Sequence, residues 1–182
     1  MVRFAQGDDS AFELLVERHE KEMMNFFYRL TGEPYLAEDL TQDLFLKVFR
    51  YRKSYRPQST FRYFLFQIAR NMWIDLYRKR KVRPRELSLE APTQRNGSSV
   101  DFDAAHPDCK PQDGLIRNEQ IEALNRAVAQ LPEKQREVVA LSFEGKLKYA
   151  EIAEILGVPE GTIKSRMHAA VKNLRDLMGG VA

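Results

Sequence analysis

Cysteine is almost missing from this 182-residue chain. Cys109 stands alone, so no disulfide can close within the chain and no cysteine-rich zinc site can be built. No apolar run is long enough to cross a bilayer, and the N-terminal stretch lacks the pattern of a signal peptide. These absences carry the expectation of a cytoplasmic protein with no membrane insertion. Histidine is scarce too, at three residues. His106 and Cys109 have the spacing of half a metal site, but no second pair lies nearby, so a loop His and a loop Cys are the plainer reading.

Acidic residues are missing from a long central stretch. From Lys47 to Arg85 the only acid is Asp75, whereas Glu33, Glu38, Asp39 and Asp43 lie together with no base among them. The net charge is only +3 and the composition, 43% hydrophobic and 30% charged, is that of an ordinary soluble globular protein. The segregation matters more than the total, because it offers one surface to a polyanion and another to a basic partner.

The first half reads as three helices over residues 5 to 81, with no sustained strand alternation. The first runs from about Ser10, a plausible N-cap with Glu13 three residues on, to Leu30, and Gly32 and Pro34 end it. The second spans about Tyr35 to Arg52. Opposite its wide apolar arc it carries Asp39, Gln42, Asp43, Leu46 and Arg50, and a leucine amid an acidic strip is either a lone exposed residue or the start of a protein-binding face. Asp39 and Asp43 also allow a metal-dependent nuclease, but further ligands are missing.

The third helix, Phe61 to Lys81, begins after Ser59 or Thr60 as cap. Phe61, Phe64, Leu65, Ile68, Met72 and Leu76 form a core stripe, and Tyr63, Phe66, Arg70, Trp73 and Tyr77 fall on the other side. Two readings fit: a helix buried on two sides, or a face that stacks on unpaired bases and tracks phosphates. Gln67, Asn71 and Arg78 form a third strip between them, with groups able to pair with base edges.

Residues 82–114, with four prolines and Asn96-Gly97-Ser98-Ser99, read as a flexible linker. Residues 115–182 are helical again. Val138, Val139, Leu141 and Phe143 point inward on a helix after Pro132. Tyr149, Ile152, Ala153 and Leu156, the turn Gly157-Val158-Pro159, and the stripe Ile163, Met167, Ala170, Val171, Leu174 and Met178 have the spacing of a helix-turn-helix. The outer face of its second helix presents Gly161, Ser165, His168 and Lys172, flanked by Lys164 and Arg175, as suits a recognition helix in a major groove. The fold class expected is all-α: two small helical domains joined by a flexible linker, the second a helix-turn-helix.

The stretches AEDLTQDLFLKVF, STFRYFLFQIARNMWIDLYRKRK, LPEKQREVV and YAEIAEILGVPEGTIKSRMHAAVKNLR resemble the bacterial sigma-70-family initiation factors of the extracytoplasmic-function group. The resemblance covers nearly all of both helical segments. It implies a region 2 domain over 1–81 and a region 4 domain over 115–182. Asp39, Gln42, Asp43 and Leu46 would dock on core RNA polymerase. Ser59, Thr60, Phe61 and Arg62 would capture a flipped base of the minus-ten element, with Gln67, Asn71 and Asp75 facing bases and Arg70 and Arg78 near the same melted DNA. Thr162, Lys164, Ser165, Arg166, His168 and Lys172 would contact the double-stranded minus-thirty-five element. It implies no cofactor, no metal, no catalysis and an anti-sigma factor as a further partner. Departures from the family pattern are Gln67 where many members have Arg, Trp73 where a smaller residue is usual, Ala169 and Val171 in place of basic residues, and Lys148 where a Ser cap is common. The alternatives are a DNA-binding regulator using only the helix-turn-helix, and the nuclease built on Asp39 and Asp43.

Overall fold

The computed structural model describes residues 1–57, 59–82 and 123–179. The expected linker at 82–114, except Val82, lies outside the described residues, as do His106, Cys109 and residues 115–122.

A short helix that the periodicity does not signal, α1 (Val2–Ala5), opens the chain. It buries Phe4, whose ring stacks on Phe12 at 4.9 Å and tilts against Phe49 at 5.3 Å. Helix α2 (Ser10–Thr31) has Asp9, not Ser10, at its N-cap, and the side-chain contacts at its start come from Asp8. The Asp8 carboxylate accepts from the Ser10 hydroxyl at 2.6 Å and the Ala11 N–H at 3.3 Å, satisfying a donor that the first helical turn leaves without a partner. Met23, Phe26, Phe27 and Leu30 fill its inner face. Gly32 ends α2 in the left-handed region at φ 71°, where a side chain is strained, and Pro34 opens α3 (Pro34–Arg50). A 3-10 turn, η1 (Tyr51–Ser54), follows.

Helix α4 (Phe61–Val82) is capped by Thr60, whose hydroxyl accepts from the Tyr63 N–H at 3.2 Å. Leu65 and Met72 are buried as the core stripe requires, but so are Phe66 and Trp73 of the opposite face. Phe66 meets the Phe26 ring edge-on at 5.1 Å. The helix is thus buried on two sides, and these two aromatics are core.

In the C-terminal half, helical residues 123–130 (α5) lead into α6 (Glu133–Phe143), α7 (Tyr149–Leu156) and α8 (Glu160–Gly179). Gly157 turns α7 into α8 at φ 65°. The Lys148 N–H donates to Glu151 at 2.8 Å, so the start of α7 is held without a Ser cap. Ile163 and Ala170 are fully buried, and the single methyl of Ala170 lets α8 lie close to Val128 and Leu131. Val171, expected inward, is 47% exposed and Met178 43%: both sit on the outer shoulder of a stripe that Met167, Ala170 and Leu174 already fill. Phe143, also expected inward, is 61% exposed and lies instead against the Arg29 guanidinium, 4.7 Å from its ring centroid.

The two halves share one core. Met23, Phe26, Leu65, Phe66 and Trp73 belong to the same buried cluster as Val138, Leu141, Ile152 and Ile163.

Candidate nucleic-acid interface

Helix α3 buries Leu40, Leu44, Phe45 and Val48 and so turns the opposite strip outward. Asp39, Gln42 and Asp43 are exposed, and Leu46 is 53% exposed. Beside Leu46 lies a groove of about 320 Å³ whose walls are Phe12, Val16, Phe45 and Phe49. An apolar trough rimmed by carboxylates is the chemistry of a docking site for a basic, amphipathic element. Asp39 and Asp43 gain no metal-binding company: among the described residues no three His, Cys, Asp or Glu side chains come together as a metal site.

Along α4, Gln67, Asn71, Asp75 and Arg78 are exposed. Their spacing of four, four and three residues keeps them on one edge of the helix. Ser59 and Thr60, also exposed, precede this edge. Between them opens a cleft of about 520 Å³, lined by Tyr51, Tyr55, Arg56, Ser59, Tyr63, Phe64, Gln67 and Glu154. Aromatic walls, a guanidinium and amide or hydroxyl groups at one cleft are what an unstacked base needs.

Three of the expected minus-ten residues are engaged within the protein. Phe61 is half-buried, with the His19 ring edge-on at 5.4 Å. Arg62 pairs with Glu22 and donates to the Gly145 carbonyl at 3.2 Å. Arg70 faces Glu137 at 3.5 Å. On α8, Lys164, Ser165, His168 and Lys172 are exposed, whereas Thr162 and Arg166 are half-buried. Ser165 donates to the Thr162 carbonyl at 3.0 Å, and Lys164 pairs with Glu160 at 2.8 Å, which raises the lysine pKa.

Glu137 is the buried charge among these groups. Burial pushes its carboxyl above the ordinary value of 4.5, with Arg70 and then Arg166 pulling against that shift and Glu133 adding to it. A carboxyl whose folded pKa is raised binds a proton more readily in the folded state. Its contribution to stability is therefore full below the ordinary carboxylate range and is lost as pH rises through the raised value. Glu137→Gln is expected to flatten stability against pH from 4.5 upward; urea midpoints measured across that window check it, and an unchanged slope would exclude Glu137 as the source.

Several residues here gave no local signal. Arg29 sits in register with Phe26 and Leu30 on α2 and is 9% exposed, a cation within an apolar stripe. That mismatch is the one mark in the sequence of its ion pair with Glu144, 115 residues away. Glu154 at the base-sized cleft has no counterpart signal at all.

Helical layers with a helix-turn-helix, a basic aromatic helix and an exposed acidic strip define an all-helical protein of the helix-turn-helix class. Sigma-70 region 2 matches residues 15–83 and sigma-70 region 4 matches residues 121–174. The chain is 30% identical to the ECF RNA polymerase sigma factor SigW of Bacillus subtilis, over 94% of this chain and 93% of that one. It is 32% identical to the RNA polymerase sigma factor CarQ of Myxococcus xanthus, over 98% and 95%. Among solved structures it is similar to the sigma factor RpoE of Bartonella quintana in complex with the anti-sigma factor NepR, with a TM-score of 0.68, 25% identity and coverage of 93% and 97%. The chain belongs to the extracytoplasmic-function sigma factors of the sigma-70 family. Such a factor directs RNA polymerase to specific promoters for transcription initiation. Among the described residues no helix is long and apolar enough to cross a membrane.

Proposed function

We propose that the chain divides this task among three surfaces. The exposed strip Asp39, Gln42, Asp43 and Leu46 docks on core RNA polymerase. Ser59, Thr60, Phe61 and Arg62, with the cleft beside them, take a flipped base of the minus-ten element, and Gln67, Asn71 and Asp75 read adjacent bases while Arg70 and Arg78 neutralise phosphates. On α8, Lys164, Ser165, Arg166 and His168 read the minus-thirty-five major groove, with Thr162 and Lys172 at its phosphates. The domains are region 2 over 1–81, a linker over 82–114 and region 4 over 115–182. The observation that carries this reading is the open edge of α4. Gln67, Asn71, Asp75 and Arg78 stay exposed on a helix otherwise buried on two sides.

The protein works by binding and is not an enzyme. It holds DNA open by offsetting an unstacking cost of a few kcal/mol per base step, as an order of magnitude. Its place is the cytoplasm, where polymerase and promoter are. An anti-sigma factor is a further partner, by analogy with RpoE and NepR.

The test is reconstitution with core polymerase and permanganate probing of promoter thymines. Reactive thymines near the minus-ten element are expected only with both components present. A duplex that stays closed while the chain alone binds it tightly would instead support a regulator that uses the helix-turn-helix alone. Gln67→Ala and Asn71→Ala are each expected to cost about 1–3 kcal/mol of discrimination between minus-ten variants, with affinity for unrelated DNA unchanged. Competition binding on a set of single-base promoter variants reads this out.

A further inference from the structure

The start of α4 is held from beneath by two polar side chains of α2. His19, Met23, Phe26 and Leu30 are buried along one side of that helix, so His19 stands in an otherwise apolar stripe. Glu22 lies beside it, with its side chain 16% exposed. One Glu22 carboxylate oxygen is 3.1 Å from His19 Nδ1, and the other pairs with the Arg62 guanidinium. A carboxylate only accepts, so Nδ1 is the ring nitrogen that carries the hydrogen. The His19 ring in turn meets the Phe61 ring edge-on at 5.4 Å. A single carboxylate thus reaches the first two residues of α4, Arg62 directly and Phe61 through His19. The Gly145 carbonyl, 3.2 Å from the same guanidinium, is a neutral and weaker acceptor.

From Phe61 the contacts run on to the base-sized cleft. The Phe61 and Phe64 ring centroids are 6.3 Å apart, and Phe64 meets Tyr55 edge-on at 5.1 Å. Phe64 and Tyr55 are two walls of that cleft. Stability alone does not account for a charge shared at this depth. Taking a carboxylate and a guanidinium out of water costs about as much as their attraction returns, and apolar residues of similar volume often serve a fold equally well. What the shared carboxylate does supply is direction, because charge-assisted hydrogen bonds fix the orientation of their partners in a way that apolar contact does not. The groups it orients are those assigned to the flipped base.

We propose that Glu22 and His19 are positioning residues for base capture. They hold Arg62 and Phe61, and through Phe61 the wall of Phe64 and Tyr55, in the geometry that receives an unstacked base of the minus-ten element. The entropy of ordering these side chains is then spent in folding and not at the moment of opening. Both residues act through others and not by contact with DNA. The inference rests on the surface assignments above, since it needs a base in this cleft.

The experiment reconstitutes the full chain with core RNA polymerase and measures equilibrium binding to fork-junction DNA that carries one abasic site at each minus-ten position in turn. With the unsubstituted chain, removal of one base is expected to cost about tenfold in affinity, which marks the captured base. Glu22→Gln keeps the shape of the side chain but offers one acceptor where two donors meet. It is expected to weaken binding to the intact fork about tenfold and to bind the fork lacking the captured base as the unsubstituted chain does. His19→Phe keeps a ring against Phe61 and loses the N–H; it is expected to show the same pattern at about threefold, and it carries the test should Glu22→Gln melt early. An equal loss on both forks, or no loss on the intact fork by a folded variant, overturns the positioning role and leaves both residues to the core. If no abasic site weakens binding by the unsubstituted chain, base capture at this cleft is overturned, and the positioning role with it.

Discussion

Leu46→Asp is expected to abolish recruitment of core RNA polymerase while leaving the fold intact. Leu46 is 53% exposed and stands beside the trough walled by Phe12, Val16, Phe45 and Phe49, so the chain itself draws little stability from it. A surface change of this kind usually moves stability by no more than about 0.5 kcal/mol. In the interface proposed here the same side chain would be the central apolar anchor inside a charged rim. Truncating such an anchor typically costs 2 kcal/mol or more, about thirtyfold in affinity, and placing a carboxylate there adds an unpaired buried charge. Asp43→Lys should behave differently. It sits on the rim, so its loss slows association and weakens the salt dependence more than it speeds dissociation. Biolayer interferometry against core polymerase at several salt concentrations, beside a thermal melt, checks both. Full binding by Leu46→Asp would remove α3 from the interface.

Trp73→Ala is expected to be a stability mutant. Read from periodicity alone, Trp73 is a candidate for stacking on opened bases, and its loss would then impair promoter opening more than folding. In the structure it is 5% exposed within the core that joins the two halves, tilted against Tyr77 at 5.7 Å between ring centroids. Emptying such a site costs about 3–5 kcal/mol. At roughly 2–4 °C per kcal/mol for a chain of this length, the melting midpoint falls by about 6–20 °C. Among the described residues the indole N–H finds no hydrogen-bond partner, so no polar contact with them is lost with the ring. Trp73→Phe keeps most of the packing and should cost about a third as much. An unchanged melt with impaired permanganate reactivity would return Trp73 to the DNA face.

The helices were legible because their signals are local. Gly32 and Gly157 take the left-handed conformations that end α2 and α7, and Pro34 opens α3. Each is set by the residue's own backbone preferences, whatever packs nearby. Single-residue details were less so. The N-cap of α2 falls at Asp9, one residue before Ser10, and the side chain that meets its first turn is that of Asp8, whose carboxylate reaches both Ser10 and Ala11. Phe143 turned outward because Arg29 offers its ring a cation. Val171 stayed outside because Ala170, beside Val128 and Leu131, takes the inward place.

The α4 helix divides the two kinds of knowledge. Sequence alone determined that it is a helix, that Leu65 and Met72 face inward, that its strip Gln67, Asn71 and Arg78 is polar, and, with the helix-turn-helix and the acidic strip, that the chain resembles a sigma factor. Those follow from periodicity, charge and motif order, which are properties of neighbouring residues. What covers the aromatic side was beyond it. Two-sided cores and base-stacking faces share one pattern of large rings, and only a contact between residues far apart in the chain distinguishes them. The tertiary structure decided that Phe66 and Trp73 are core, that Arg62 and Arg70 meet carboxylates and carbonyls, and that α2 and α4 rest against the segment Glu133–Glu154. The physical reason is that burial and ion pairing depend on what arrives from across the fold, whereas a helical period does not.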